Sequence, residues 1–180
     1  VSAARNGMKT LLLSEDSALG GLMTLGELNF IDMCEGRDGT SLVEGIFREF
    51  YDMVGGSAFD ITEAKNAFLT LCENEENLTL RTSSHLIAPL LDGDNLLGVK
   101  MREEDGEKEY YAQVIIDASA DADLAALSGV PYTFAGEDIG EKDRQMGVTL
   151  VFELSGVNWG EVYRYLNFER LKAEIKHTSG

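Results

Sequence analysis

Glu15 closes a run of three leucines in LLLSEDSALGG, and two adjacent glycines follow at positions 20 and 21. A carboxylate at a strand end can accept hydrogen bonds from two neighbouring hydroxyls, and glycine lets the backbone come close to a bound group. Far along the chain a second acidic stretch, VIIDASADADLAALSG, sets Asp117, Ser119, Asp121 and Asp123 in alternate positions after an apolar run. A strand that turns there into a helix offers free N–H groups to anions and polar oxygens. Other reactive residue types are isolated. The histidines, His85 and His177, stand in no nucleophile or metal arrangement, and His85 alternates with Leu86 at a surface or half-buried strand position. Cys34 and Cys72 have no metal-type spacing, and Cys34 reads as an ordinary buried thiol. Arg37 and Arg144 suit a substrate carboxylate, although ion pairing is the plainer expectation on an acidic chain.

The elements that must position these residues follow from periodicity. VSAARNG reads as the last turns of a helix stopped by Gly7, MKTLLLSE as a strand, and DSALGGLMTLGELNF as a glycine-punctuated loop. TSLVEGIFREFYDMV, residues 40–54, has helical spacing with Thr40 or Ser41 as cap and Gly55 and Gly56 as its end. A second helix runs through DITEAKNAFLTLCENE, capped by Asp60 or Thr62. The period then changes: LTLRTSSHLIAPLL, NLLGVKMREE and KEYYAQVIIDAS are strands of a β-meander over 78–112, turned at DGDN and EDGE. VIIDAS is apolar enough for a central strand, DADLAALSG is a short helix closed by Gly129, VTLVFELSGV is one more strand, and a C-terminal helix ends the chain. The order is α/β with an antiparallel insertion, and KTLLLS and QVIID are expected to neighbour each other in one parallel sheet.

Bulk properties narrow the partners. The net charge of −17, from 32 acids against 15 bases, disfavours nucleic acid and anionic membrane surfaces and leaves a small-molecule substrate as the expected partner. With only two cysteines, a reducing, cytoplasmic setting is expected. The chain opens on Val1 in mid-pattern, which reads as a segment of a longer protein.

AARNGMKTLLLSEDSALGG, followed by GV…YYAQVIIDASADADLAALSGVPY, resembles the FAD-dependent oxidoreductases related to the fumarate-reductase and glutathione-reductase flavoproteins, from Ala3 to about Trp159. The resemblance implies a Rossmann-like FAD-binding domain over 1–147 that lacks its first strand and GxGxxG loop, with a substrate or cap domain starting at 148–180. It implies Glu15 on the adenosine ribose, Gly20, Gly21 and Thr24 (with Gly26) in a loop beside the flavin, Leu86 meeting the adenine through its main chain, and Ser119, Ala120 and Asp121 in a late cofactor turn. Family members carry glycine where this chain has Ala120, and Ala122 fills the next glycine-like slot. The implied activity is hydride transfer to or from a small molecule, with FAD supplying the chemistry. A decayed, non-catalytic scaffold of the same fold and an NAD-binding half-domain are the alternatives, and the catalytic residues are unassigned.

Overall fold

The computed structural model describes residues 1–141 and 143–178, with side chains described through residue 170. It forms two compact units, Val1–Thr149 and Leu150–Gly180.

In the first unit a single helical turn, α1 (Ser2–Arg5), leads to strand β1 (Thr10–Leu13). Arg5 forks onto Glu49 at 2.6 and 2.8 Å and reaches Glu75 at 2.6 Å. Glu49 lies in the next helix and Glu75 just past the end of the one after it, so one guanidinium ties the start of the chain to both. Helix α2 (Ile46–Val54) starts later than the periodicity predicts. Gly45 sits at φ 73°, ψ −143°, a backbone region open to glycine, and it ends any helix that residues 40–44 would begin. Ser41 turns its hydroxyl to Val43 instead of capping a helix. Helix α3 (Ile61–Glu73) carries the expected cap, with the Asp60 carboxylate accepting from the N–H groups of Thr62 and Glu63. That pair of donors holds the Asp60 carboxyl below the usual range.

The two helices make the first core, where Phe50 stacks on Phe68 with ring centroids 4.3 Å apart and meets Phe59 edge-on. Val54, Ala64, Ala67 and Leu71 complete it. An apolar recess of about 420 Å³ beside this core is lined by residues including Leu12, Leu19, Met23 and Phe47.

LTLRTSSHLIAPLL is two strands rather than one. β2 (Leu78–Arg81) pairs in parallel with β1, Thr10 opposite Leu78 and Leu13 opposite Arg81. Ser83 then takes a left-handed φ of 52°, and the chain turns into β3 (His85–Asp92). β3, β4 (Asn95–Glu103) and β5 (Gly106–Tyr111) form the antiparallel meander, so the meander covers 85–111. The expected neighbour of β1 is therefore replaced: β1 pairs with β2, and QVIID forms no strand. Val114 and Ile116 are 77% and 78% exposed, so the apolar character that suggests a central strand meets no partner strand among the described residues. Helix α4 (Asp123–Leu127) buries Leu124 against Val99 and Met101 of the meander, and Leu13, Leu86 and Ile115 pack on the same cluster.

The second unit contains helix α5 (Trp159–Thr178), with Trp159 and Tyr163 in ring contact. The strand expected from VTLVFELSGV is absent: residues 148–157 pair with no strand, and Val148, Leu150, Phe152 and Leu154 are exposed. Period-2 apolarity describes a strand's preference, but the strand forms only when a neighbour takes up its N–H and C=O groups.

Candidate functional site

The carboxyl ends of β1 and β2 meet in a corner that backbone hydrogen bonds hold shut. Ser14 N–H donates to Arg81 O, Ser84 N–H to Ser14 O and Ser83 N–H to Asp16 O, at 2.9–3.0 Å. With the main chain so engaged, the two side chains that flank the seam point outward. His85 Nδ1 lies 3.0 Å from Glu15 Oε1, and both side chains are more than half exposed. Ionised glutamate only accepts, so the imidazole carries its proton on Nδ1 and donates. Glu15 Oε2 has no hydrogen bond among the described residues.

A polar network supports the corner from behind. Ser84 is buried, and its hydroxyl is 3.4 Å from Glu103 Oε1. The Glu103 carboxylate also accepts from Tyr110 Oη at 2.5 Å and Lys108 Nζ at 3.0 Å, with Arg81 at 3.7 Å. The Tyr110 hydroxyl first, then the Lys108 ammonium, holds the Glu103 carboxyl below its ordinary range. Burial, reinforced by Glu103, pushes the Tyr110 phenol up. This cluster joins the end of β2 to β4 and β5 and fixes where β3 begins.

The glycine loop is built for packing on one side and for access on the other. Gly20 has φ 105°, and a Cβ there would lie 2.6 Å from both the Phe68 ring and Thr24 Cγ2. Thr24 is buried and donates its hydroxyl to Leu19 O at 2.7 Å, so its side chain braces the loop from within. Gly21, also at positive φ, has nothing within 4 Å of the place a Cβ would take. Gly26 packs against the Leu22 backbone. Leu86 turns its side chain toward the Val99–Met101–Leu124 cluster, and a β-bulge follows it on β3.

The late acidic motif forms a self-braced turn. Asp117 Oδ1 accepts from Ser119 N–H at 3.0 Å and Ser119 Oγ at 2.7 Å, while Oδ2 accepts from Ala125 N–H at 2.8 Å. Ser119 Oγ in turn accepts from Asp123 N–H at 2.9 Å. The Ser119 hydroxyl, with these N–H donors, holds the Asp117 carboxyl below its usual range. Ala120 and Asp121 are exposed at the tip, and Ala122 adopts a left-handed φ of 56° before α4.

Leu13 of β1, Leu86 of β3 and Leu124, just after the 117–123 turn, share one apolar cluster, and Glu15 meets His85 at the strand ends. Gly20 and Thr24 belong to the helical core through Phe68. The His85–Glu15 contact is the feature that sequence reasoning missed. The two residues are 70 positions apart, and only the parallel β1–β2 register brings them together. Cys34 is exposed rather than buried, because it lies in the loop before the short Glu35–Ser41 bridge instead of in a core. Cys72 is buried, and burial pushes its thiol up. Arg144 pairs with Glu141, as an acidic chain favours, and Arg37 is exposed in a turn. The side chain of His177 lies outside the described residues.

An acid at the carboxyl end of a parallel strand, an adjacent glycine loop and an acidic turn entering a helix are the parts with which α/β folds meet nucleotide cofactors. Among the described residues no helix is long and apolar enough to cross a membrane. No curated protein and no solved structure matches the chain. Residues 1–179 match the family model described as FAD dependent oxidoreductase. The chain therefore belongs to the FAD-dependent oxidoreductase family, and its cofactor is FAD.

Proposed function

We propose that this chain supplies the adenosine-side cradle of an oxidoreductase that transfers hydride between FAD and a small-molecule substrate. The observation that carries the reading is the Glu15 carboxylate at the carboxyl end of the β1–β2 pair, with one oxygen held by His85 and the other without a partner among the described residues. Such an oxygen accepts a ribose hydroxyl, and the exposed corner admits one. Gly21 offers an unobstructed stretch of backbone on the flavin side. At the 117–123 turn Ser119 has its hydroxyl and its N–H engaged, so it shapes the turn and offers the cofactor its carbonyl, while the exposed Ala120 and Asp121 at the tip offer their main chain. Leu86 does the same at the adenine, its side chain being held by the meander cluster. FAD itself, when bound, supplies the redox chemistry, and the protein orients it.

In this reading the parallel β1–β2 pair is the Rossmann-like part of the cofactor cradle. Residues 148–180 belong in this reading to a substrate or cap region. An exposed Cys34 and an unbridged Cys72 suit a reducing, cytoplasmic setting.

The full-length protein is expected to purify with the visible absorbance of a bound flavin, or to acquire it when FAD is added. A colourless protein that takes up no added FAD would sink the proposal.

A further inference from the structure

The imidazole at the corner has no part in the reading above beyond touching Glu15, yet its placement is specific. β3 starts at His85 because Ser83 turns left-handed and Ser84 is anchored to Ser14 and to Glu103. The ring is thereby set beside a carboxylate in the loop that follows β1, 3.0 Å from Oε1. An exposed glutamate on a loop would otherwise sample several rotamers, and ordering it on ligand binding costs conformational entropy. A donor that holds Oε1 before the ligand arrives removes part of that cost. The remaining ring nitrogen, Nε2, has no partner among the described residues.

We infer that His85 is a positioning residue that pre-orients the Glu15 carboxylate for a vicinal diol, the ribose of the cofactor's adenosine half. The inference rests on the proposed role of Glu15 and extends it to a second residue. Arg102 is the cross-strand neighbour of His85 on β4, while Asp16 follows Glu15 in the loop. Neither of them hydrogen-bonds or ion-pairs with the Glu15 carboxylate, so the imidazole is its one holder among the described residues.

The test is a double-mutant cycle on FAD affinity in the full-length protein, followed by quenching of flavin fluorescence, with Glu15→Gln, His85→Ala and the double variant. His85→Ala is expected to weaken FAD binding about fivefold, the scale of one exposed charge-assisted hydrogen bond. Glu15→Gln is expected to weaken it by about tenfold or more, and the double variant no further, because the imidazole acts only through the carboxylate. His85→Asn, which keeps an N–H close to the Nδ1 position, should recover most of the loss. A merely structural role would give losses that add in the double variant and no recovery with asparagine. Additive losses, or an unchanged affinity in His85→Ala, would overturn the inference while leaving the ribose role of Glu15 intact. An unchanged affinity in Glu15→Gln would overturn the ribose role itself.

Discussion

At the Glu15–His85 corner the main chain is locked by strand pairing and the side chains are left open. At the Asp117 turn the side chains are locked and the tip of the main chain is left open. Both places carry acids in a cofactor-like pattern, but Asp117 has each oxygen engaged by the turn, whereas Glu15 has one oxygen without a partner among the described residues. The acids of a motif therefore divide by use: Asp117 builds the surface that a ligand meets, and Glu15 meets it directly. A substitution at the first should show in stability, and one at the second in binding.

The largest expected effect lies in the loop that follows the corner. Gly20→Ala combines a positive φ with a clash against Phe68 and Thr24, and should cost about 3 kcal/mol, read as a fall in melting temperature. Gly21→Ala, with open space around it, should cost less than Gly20→Ala in the same melt.

Next comes the turn. Asp117→Asn turns an amide N–H₂ toward one of the N–H donors and should cost about 1–2 kcal/mol. The pH dependence has a definite sign. The Asp117 carboxyl is held below its usual range in the folded protein, so its contribution is present above the unfolded-state value of about 4. It is lost as the pH falls through the lower folded value. The stability gap between wild type and Asp117→Asn should be full at pH 7 and shrink in acid; a gap that grows on acidification would contradict the assigned hydrogen bonds.

A smaller effect of opposite sign is expected at Ala122. Its left-handed backbone suits glycine, and Ala122→Gly should raise stability by about 0.5–1 kcal/mol after the entropy that glycine gains in the unfolded chain is offset. The smallest stability effect is at the corner, where Glu15→Gln should stay within about 0.5 kcal/mol of wild type in a denaturant titration. A large loss there would erase the division between the two acids.

Much of the fold was legible because its signals are local. The Asp60 cap, the hairpin turns at 92–95 and 103–106 and the helix after Ala122 each depend on a few adjacent residues. What escaped depends on distant partners. The three leucines announce a strand, but nothing in them says that residues 78–81 rather than 113–117 will pair with it. Ala122 illustrates a subtler loss: the chain adopts a glycine-like conformation with alanine in place, so residue type alone understated the turn. Glu15 was legible as a strand-end acid. The hydrogen bond that holds its Oε1 was not, because His85 reaches it only through the left-handed step at Ser83.

The most direct test follows the amide resonances of the isotope-labelled full-length protein as FAD is added. The account predicts that the amides of Glu15, Gly21, His85 and Leu86 shift together with those of Ser119–Asp123, at a common dissociation constant. Shifts that bypass the Glu15–His85 corner while FAD binds elsewhere would contradict it.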